Sequence, residues 1–225
     1  MPASIDECET SHDRELVLTA RSYAYRVFWR LFADRPDAAV VEAVRGESFL
    51  DSLKIVIGDG GSCKEIGAVT DYLRDLDSDV AVERLRVEYE RQFFSPGKHA
   101  AYPWESMNVD GDGILFQQCT LDVRREYARY GLVSKKLHSE PEDHIALEAD
   151  FLLQLSLRML ESPATAILMD SKRFIEEHAA AWLPRYLEQA AKGTEAPFYF
   201  ELVRLYRVFL SADVELLGEL IGEIG

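Results

Sequence analysis

From Arg14 to Ala33 the apolar residues Leu16, Ala20, Tyr23, Ala24, Val27, Phe28 and Leu31 recur at spacings of three and four, and Trp29 and Phe32 widen the stripe. That period lines up side chains on one face of an α-helix, and a stripe this wide needs neighbours on more than one side. The spacing returns in Val82, Leu85, Tyr89 and Phe93, and again in Leu202, Leu205, Tyr206, Phe209, Leu216, Leu217, Leu220 and Ile224. No period-2 run of useful length occurs. The chain is therefore predicted to be all-α, a single helical bundle of roughly ten helices.

Punctuation residues divide this pattern. Residues 1–12 are polar and acidic and are predicted to form a flexible N-terminal tail, with one all-helical domain over 13–225. Pro36 ends the first helix and can open a second through about Arg45; Asp51 to Ile57 continues helical until the run Gly58-Asp59-Gly60-Gly61. Lys64 to Leu76 and a helix capped by Ser78 or Asp79 follow. Between about 95 and 118, Pro96, Gly97, Pro103, Gly111 and Gly113 rule out a continuous helix, so a long central loop is expected. It carries Tyr102, Trp104, Met107 and Phe116, side chains that favour packing or a contact over solvation. Helix resumes from Thr120 to about Tyr130, stops at Gly131, and gives way to a polar connector as far as Ser139.

The helix opened by Glu140-Pro141-Glu142-Asp143-His144 is apolar on nearly every side, through Ile145, Leu147, Phe151, Leu152, Leu153, Leu155, Leu157, Met159 and Leu160. Such a helix belongs in the middle of a fold. Ser162-Pro163 reads as a cap before a helix to about His178. A further helix covers Ala181 to Lys192, and the last begins after Pro197.

Composition narrows the function. At 225 residues and 48% hydrophobic content the chain can bury a core without disulfide or metal, since a chain of this size buries about 70–75% of its unfolded surface. Twenty-five Lys and Arg against 40 Asp and Glu give a formal charge of −15, which repels nucleic acid and favours a basic peptide. Cys8, Cys63 and Cys119 form no C-x-x-C pair and suit a reducing compartment. The N-terminus shows no export signal, and no run of about 18 apolar residues could span a membrane, so a soluble, cytoplasmic protein is expected.

The familiar catalytic patterns do not fit. Gly58 to Lys64 lacks the glycine before the lysine and the Ser or Thr after it that a phosphate loop needs; Cys63 and Glu65 stand there. Asn108, Asp110, Asp112 and Gly113 match half of a calcium loop, but Cys119 holds the position of its bidentate glutamate. His144 and Glu148 share a helical face beside Asp143, yet no second histidine lies at ligand spacing, and the segment reads as a helix start whose first-turn acids suit the helix dipole. There is no G-x-S-x-G, and no cysteine has an activating setting. No catalytic residue, metal or cofactor is assigned, and the chain is not expected to be an enzyme.

Two segments point elsewhere. Glu88-Tyr89-Glu90-Arg91-Gln92-Phe93, then Ser95-Pro96-Gly97 and Pro103-Trp104-Glu105-Ser106, resembles the pattern E-Y-x-x-L-F, a short loop, and P-W/Y-E-S. Glu140-Pro141-Glu142-Asp143-His144-Ile145-Ala146-Leu147-Glu148 resembles E-P-x-D-H-I-A-x-E. Tyr127 to Leu132 between them is similar to a Y-x-x-x-G-L helix ending. Both motifs are those of the TorD/DmsD/NarJ family of cytoplasmic chaperones for molybdoenzymes.

The resemblance implies a chaperone that binds the twin-arginine signal peptide of a molybdenum-cofactor redox enzyme and holds the apoenzyme until cofactor insertion and export. Its partners would be that leader and the apo form of the client, and the chain would be a monomer or a helix-exchanged dimer. Two guanidinium groups followed by an apolar stretch call for carboxylates beside an apolar groove. Glu140, Glu142 and Asp143 are the expected carboxylates, and Tyr89, Phe93, Trp104 and Phe116 the expected apolar wall. Pro103, Glu105, Ser106, Pro141 and His144 complete the motif-derived peptide site, with His144 expected to fix the loop through Glu105 or Ser106. Two alternatives remain at this stage: an acidic helical adaptor that scaffolds folded proteins, and a metal-dependent hydrolase using His144, Glu148 and Asp143.

Overall fold

The computed structural model describes residues 5–58, 64–94, 101–109, 114–134, 140–193 and 196–224, with side chains from Asp13 to Glu223. Ser95 to Gly97 of the first motif, most of the Gly58 to Lys64 turn, Asp110 and Asp112, and residues 135–139 of the connector lie outside the described residues.

Among the described residues the elements are helices throughout, apart from one isolated antiparallel bridge. They run α1 (Ile5–Ala33), α2 (Ala38–Arg45), α3 (Glu47–Ile57), α4 (Lys64–Arg74), α5 (Ser78–Phe93), α6 (Glu105–Val109), α7 (Gln118–Arg129), α8 (Ile145–Glu161), α9 (Thr165–Phe174), a π-helical turn (Ile175–Ala179), α10 (Leu183–Ala190) and α11 (Pro197–Ile224). The all-α bundle expected from the spacing is the fold observed. The central loop is interrupted by the single turn α6, placed beside the head of α8.

The long α1 packs most extensively on α8 and also on α3, while α11 crosses α3, α4 and α9. The wide stripe of α1 explains this placement: Phe28 and Phe32 meet Tyr206 of α11 at ring distances of 4.9 and 5.3 Å, and Phe28 also meets Phe49 of α3 at 5.6 Å. Alternating edge and tilted rings of this kind add to the burial of their area. Within this core lies an ion pair. Arg21 of α1 donates through Nε to both oxygens of Asp213 on α11, at 2.7 and 2.9 Å, and through Nη1 to Ser156 of α8 at 2.7 Å. Tyr25 donates to the same Asp213 at 2.6 Å, so one buried network ties three long helices in a fixed register.

Helix ends follow local chemistry in most places. Asp37 caps α2 by accepting from Val40 N. Gly131, at φ 67°, closes α7: its N–H reaches the Ala128 carbonyl and that of Leu132 reaches Tyr127, the paired bonds of a left-handed glycine cap. Several boundaries differ from expectation: α1 begins at Ile5 and not near Arg14, α3 begins at Glu47 and not Asp51, and Asp77 holds the cap position of α5. Ser162 closes α8, donating its N–H to the Arg158 carbonyl, and α9 starts after Ala164. The helix expected to run to His178 changes at Ile175 into the π-helical turn. No described helix is long and apolar enough to cross a membrane.

Candidate functional site

The two sequence motifs meet in space. The N–H of Glu105 donates to the carbonyl of Asp143 at 2.9 Å and that of Ile145 to the carbonyl of Pro103 at 3.0 Å, making an antiparallel bridge between Trp104 and His144. A loop that cannot be helical thus finds partners for its backbone at the one place where α8 has not yet begun to use its own.

Side chains reinforce the joint. Asp143, fully buried, accepts the Ser106 N–H at 2.6 Å and the Thr120 hydroxyl at 2.9 Å. Glu142, also buried, takes a two-pronged bond from Arg124 of α7 at 2.9 and 3.0 Å, while its carbonyl accepts from Tyr127. His144 Nδ1 accepts the Ala146 N–H at 3.2 Å and so caps α8. Asn108 donates to the carbonyls of Tyr102 and Trp104 at 2.9 and 2.7 Å, closing the α6 turn on itself. The Glu105 carboxylate pairs with His178. The expectation that His144 fixes the loop through Glu105 or Ser106 is therefore replaced by two other bonds: Asp143 holds Ser106, and His178 holds Glu105.

In front of this joint opens a groove of about 950 Å³ between the end of α1, the end of α5 and the start of α8. Tyr89, Phe93, Trp104, Glu140 and His144 line it, so five of the expected site residues are brought together. Trp104 and His144 rings meet edge to face at 4.8 Å, and Phe93 packs on Tyr89 at 4.7 Å. Pro103, Glu105, Ser106, Pro141, Glu142 and Asp143 lie buried behind the groove and give it its shape. Phe116 stands apart from it, half exposed, with the left-handed φ of 61°.

Sequence reasoning missed several lining residues. Trp29, Asp34 and Arg35 come from the end of α1 and the turn after it, Glu90 from α5 and Phe94 from its C-terminal cap, and Asp150 from α8. The signal for α5 was present, since Tyr89, Glu90, Phe93 and Phe94 share a face at helical spacing; that for Asp34 lay in no local pattern. The groove thus carries carboxylates from Asp34, Glu90, Glu140 and Asp150 against the guanidinium of Arg35, which itself pairs with Glu90. Burial, followed by the charges of Asp34, Glu140 and Glu90, pushes the Tyr89 phenol up.

Behind the groove the titratable groups are perturbed mainly by burial. It raises the Glu105 carboxyl against the opposing pull of His178, and raises that of Glu148 well up, helped by the charges of Glu105 and Asp143. Glu148 accepts from Trp182 Nε1 at 3.2 Å. The three groups of the hydrolase alternative, Asp143, His144 and Glu148, are thus each engaged in a separate bond. Among the described residues no group of three or more His, Cys, Asp or Glu is arranged to hold a metal ion.

The all-α bundle is the fold class that the two motifs imply, and similarity to known proteins identifies the family. The family profile described as nitrate reductase delta subunit matches residues 60–188. The chaperone protein TorD of Vibrio parahaemolyticus is 28% identical over 209 residues, covering 88% of this chain and 95% of that protein. Chaperone protein TorD of Aliivibrio fischeri is 31% identical over 138 residues, 60% of this chain, and the chain spans 64% of that relative's length. For the Vibrio cholerae protein of the same name the values are 29% over 143 residues, 62% and 64%. The chain belongs to the TorD/NarJ family of molybdoenzyme maturation chaperones.

Proposed function

We propose that this chain receives the twin-arginine leader of a molybdoenzyme precursor in the groove between α1, α5 and α8, and holds the apoenzyme until its cofactor is inserted. The observation that carries the reading is the composition of the groove: four carboxylates to one guanidinium, set against Trp29, Tyr89, Phe93, Phe94 and Trp104. Arginine is bound best where carboxylates can take its planar fork and an aromatic face can cover it. The apolar stretch that follows the arginines would lie along the Phe93 and Phe94 side.

This reading moves the anionic role. Glu142 and Asp143 lie behind the groove, bound to Arg124, Ser106 and Thr120, whereas Asp34, Glu140 and Asp150 line it and are the residues proposed to meet the leader. A synthetic leader peptide titrated calorimetrically should lose affinity as salt rises, because part of the attraction is screened. It should lose more when both arginines become glutamine, and when Asp34→Asn and Asp150→Asn are combined in the chaperone. Unchanged affinity in both would remove the groove from the model. The adaptor alternative would instead give binding to folded partners and none to the leader.

A further inference from the structure

Behind Trp104 the side chain of the next residue leaves the groove altogether. The buried Glu105 carboxylate accepts from Nδ1 of the buried His178 at 3.0 Å to Oε2 and 3.3 Å to Oε1. His178 belongs to the π-helical turn, a geometry that inserts an extra residue into a helix and so re-aims its side chains. The imidazole lies 5.2 Å from the ring of Phe174, and His178 is not among the residues that line the groove. From the sequence this pairing was invisible, because its partners stand 73 positions apart.

We infer that His178 is a positioning residue for the groove: its ion pair with Glu105 holds Trp104 at the groove wall, and losing the pair loosens that wall. The inference rests on the leader-binding reading above and concerns how the same site is held and released. The backbone of the Trp104 turn is anchored toward α8 by Glu105 N to Asp143 O, Ile145 N to Pro103 O, and Ser106 N to the Asp143 carboxylate. The Glu105 side chain supplies the tie in the other direction, across to the π turn.

Charge makes that tie conditional. Facing the pair are Asp122 from α7, Asp143 and Glu148 from the head and body of α8, and Glu177 on the π turn itself. All are acids, with Glu148 held toward its protonated form by burial, and the imidazolium is the local counter-charge for the rest. Burial works against that cation, but the bond to Glu105 and its charge prevail and hold His178 above the ordinary imidazole range. When the proton leaves, the Glu105 carboxylate stays buried without a cationic partner, and the turn gains by moving toward water. Leader affinity should therefore fall as pH rises through the His178 transition. His144 would give the opposite sign, since its Nδ1 accepts the Ala146 N–H and protonation breaks that bond.

The test compares the parent, His178→Gln, and the double variant Glu105→Gln with His178→Gln. Each is titrated with a synthetic twin-arginine leader from about pH 6 to pH 9, a range that brackets and exceeds the ordinary imidazole value. The indole N–H resonance of Trp104, assigned with Trp104→Phe, is followed without peptide over the same range. The parent should lose affinity by about fivefold or more as pH rises, the lower end of typical coupling between linked groups. That loss should vanish in His178→Gln. The double variant, whose two amides can bond each other, should recover affinity and show no pH step.

The Trp104 resonance should move with the same midpoint in the parent and stay fixed in both variants. A folded His178→Gln protein that keeps the parental pH step overturns the inference. If that variant does not fold, the parental Trp104 resonance decides, and one that stays fixed across the range overturns it equally. A parent that binds no leader at all defeats the leader-binding reading instead, while the Trp104 titration still tests the coupling.

Discussion

The carboxylate of Asp143 accepts the backbone N–H of Ser106 at 2.6 Å, and neither residue is exposed to solvent. With the Thr120 hydroxyl on its other oxygen and the Glu105 N–H on its carbonyl, this one residue joins α6, α7 and the head of α8. The E-P-x-D-H motif is thus a clasp for the loop that carries Trp104, and the groove wall depends on it.

Asp143→Asn tests the clasp. An amide offers one oxygen where two donors converge: if Oδ1 keeps the Ser106 N–H, Nδ2 can only donate to the Thr120 hydroxyl, whose own O–H then loses its acceptor. Leaving a buried polar group unsatisfied costs about 1–3 kcal/mol, and the unfolding midpoint should fall accordingly. Affinity of the folded fraction for a leader peptide should change little, because Asp143 lies behind the groove. A variant of parental stability that has lost binding would make Asp143 a direct contact.

Trp104→Ala separates the groove from the core. Trp104 is partly exposed at the wall, whereas Leu155 in the middle of α8 is fully buried. Leu155→Ala should cost about 2–5 kcal/mol of stability as a large-to-small core change. Trp104→Ala should instead weaken leader binding with a much smaller shift of the unfolding midpoint. Equal destabilisation by both would assign Trp104 to the core.

How far the sequence carried this picture differs from residue to residue. The all-round apolarity of α8 foretold its central place against α1, and Gly131 foretold the end of α7, because both depend on neighbours close in sequence. Glu142 and Asp143 read locally as first-turn acids near solvent; they are buried because Arg124, Thr120 and Ser106 arrive from other elements to satisfy them. Asp34 and Asp150 belong to the groove through the way α1 and α8 come together, which no local spacing records. The π-helical turn has no signature in residue type at all; packing sets it.

Removing one partner of the interior ion pair should be the most damaging polar substitution in the bundle. Asp213→Ala leaves Arg21 buried and charged, and also strips Tyr25 of its acceptor. Burial opposes the Arg21 cation and the variant lacks the Asp213 charge that offsets it, but a guanidinium is too basic to escape by losing its proton. Breaking a buried pair on one side typically costs about 3–5 kcal/mol. Denaturant unfolding should show that loss, and the double variant Arg21→Met with Asp213→Leu should recover much of it. A single variant with parental stability would mean that the pair adds nothing to the register of α1, α8 and α11.

Glu148 makes stability depend on pH in a direction opposite to that of an ordinary surface carboxylate. Burial, then the charges of Glu105 and Asp143, hold its carboxyl well above the usual range, so the folded state keeps this proton more tightly than the unfolded chain does. Stability from this group is therefore complete below the unfolded value of about 4.3 and is lost as pH rises through the folded value. His178 acts with the same sign: its folded value lies above the unfolded value of about 6.5, so its contribution is lost as pH rises through that higher value. Between a group's unfolded and folded values the slope for a single proton approaches about 1.4 kcal/mol per pH unit. Glu148→Gln removes the first contribution alone, since glutamine cannot ionise yet keeps an oxygen for Trp182 Nε1. The variant should match the parent at acidic pH and become the more stable of the two as pH rises, with the residual slope shared by His178 and the raised carboxyls of Glu105 and Glu88, and only its His178 part removed once His178→Gln is added. Thermal unfolding of the three proteins across the pH range measures this directly, and parallel curves for parent and Glu148→Gln would show that the buried carboxyl does not titrate with folding.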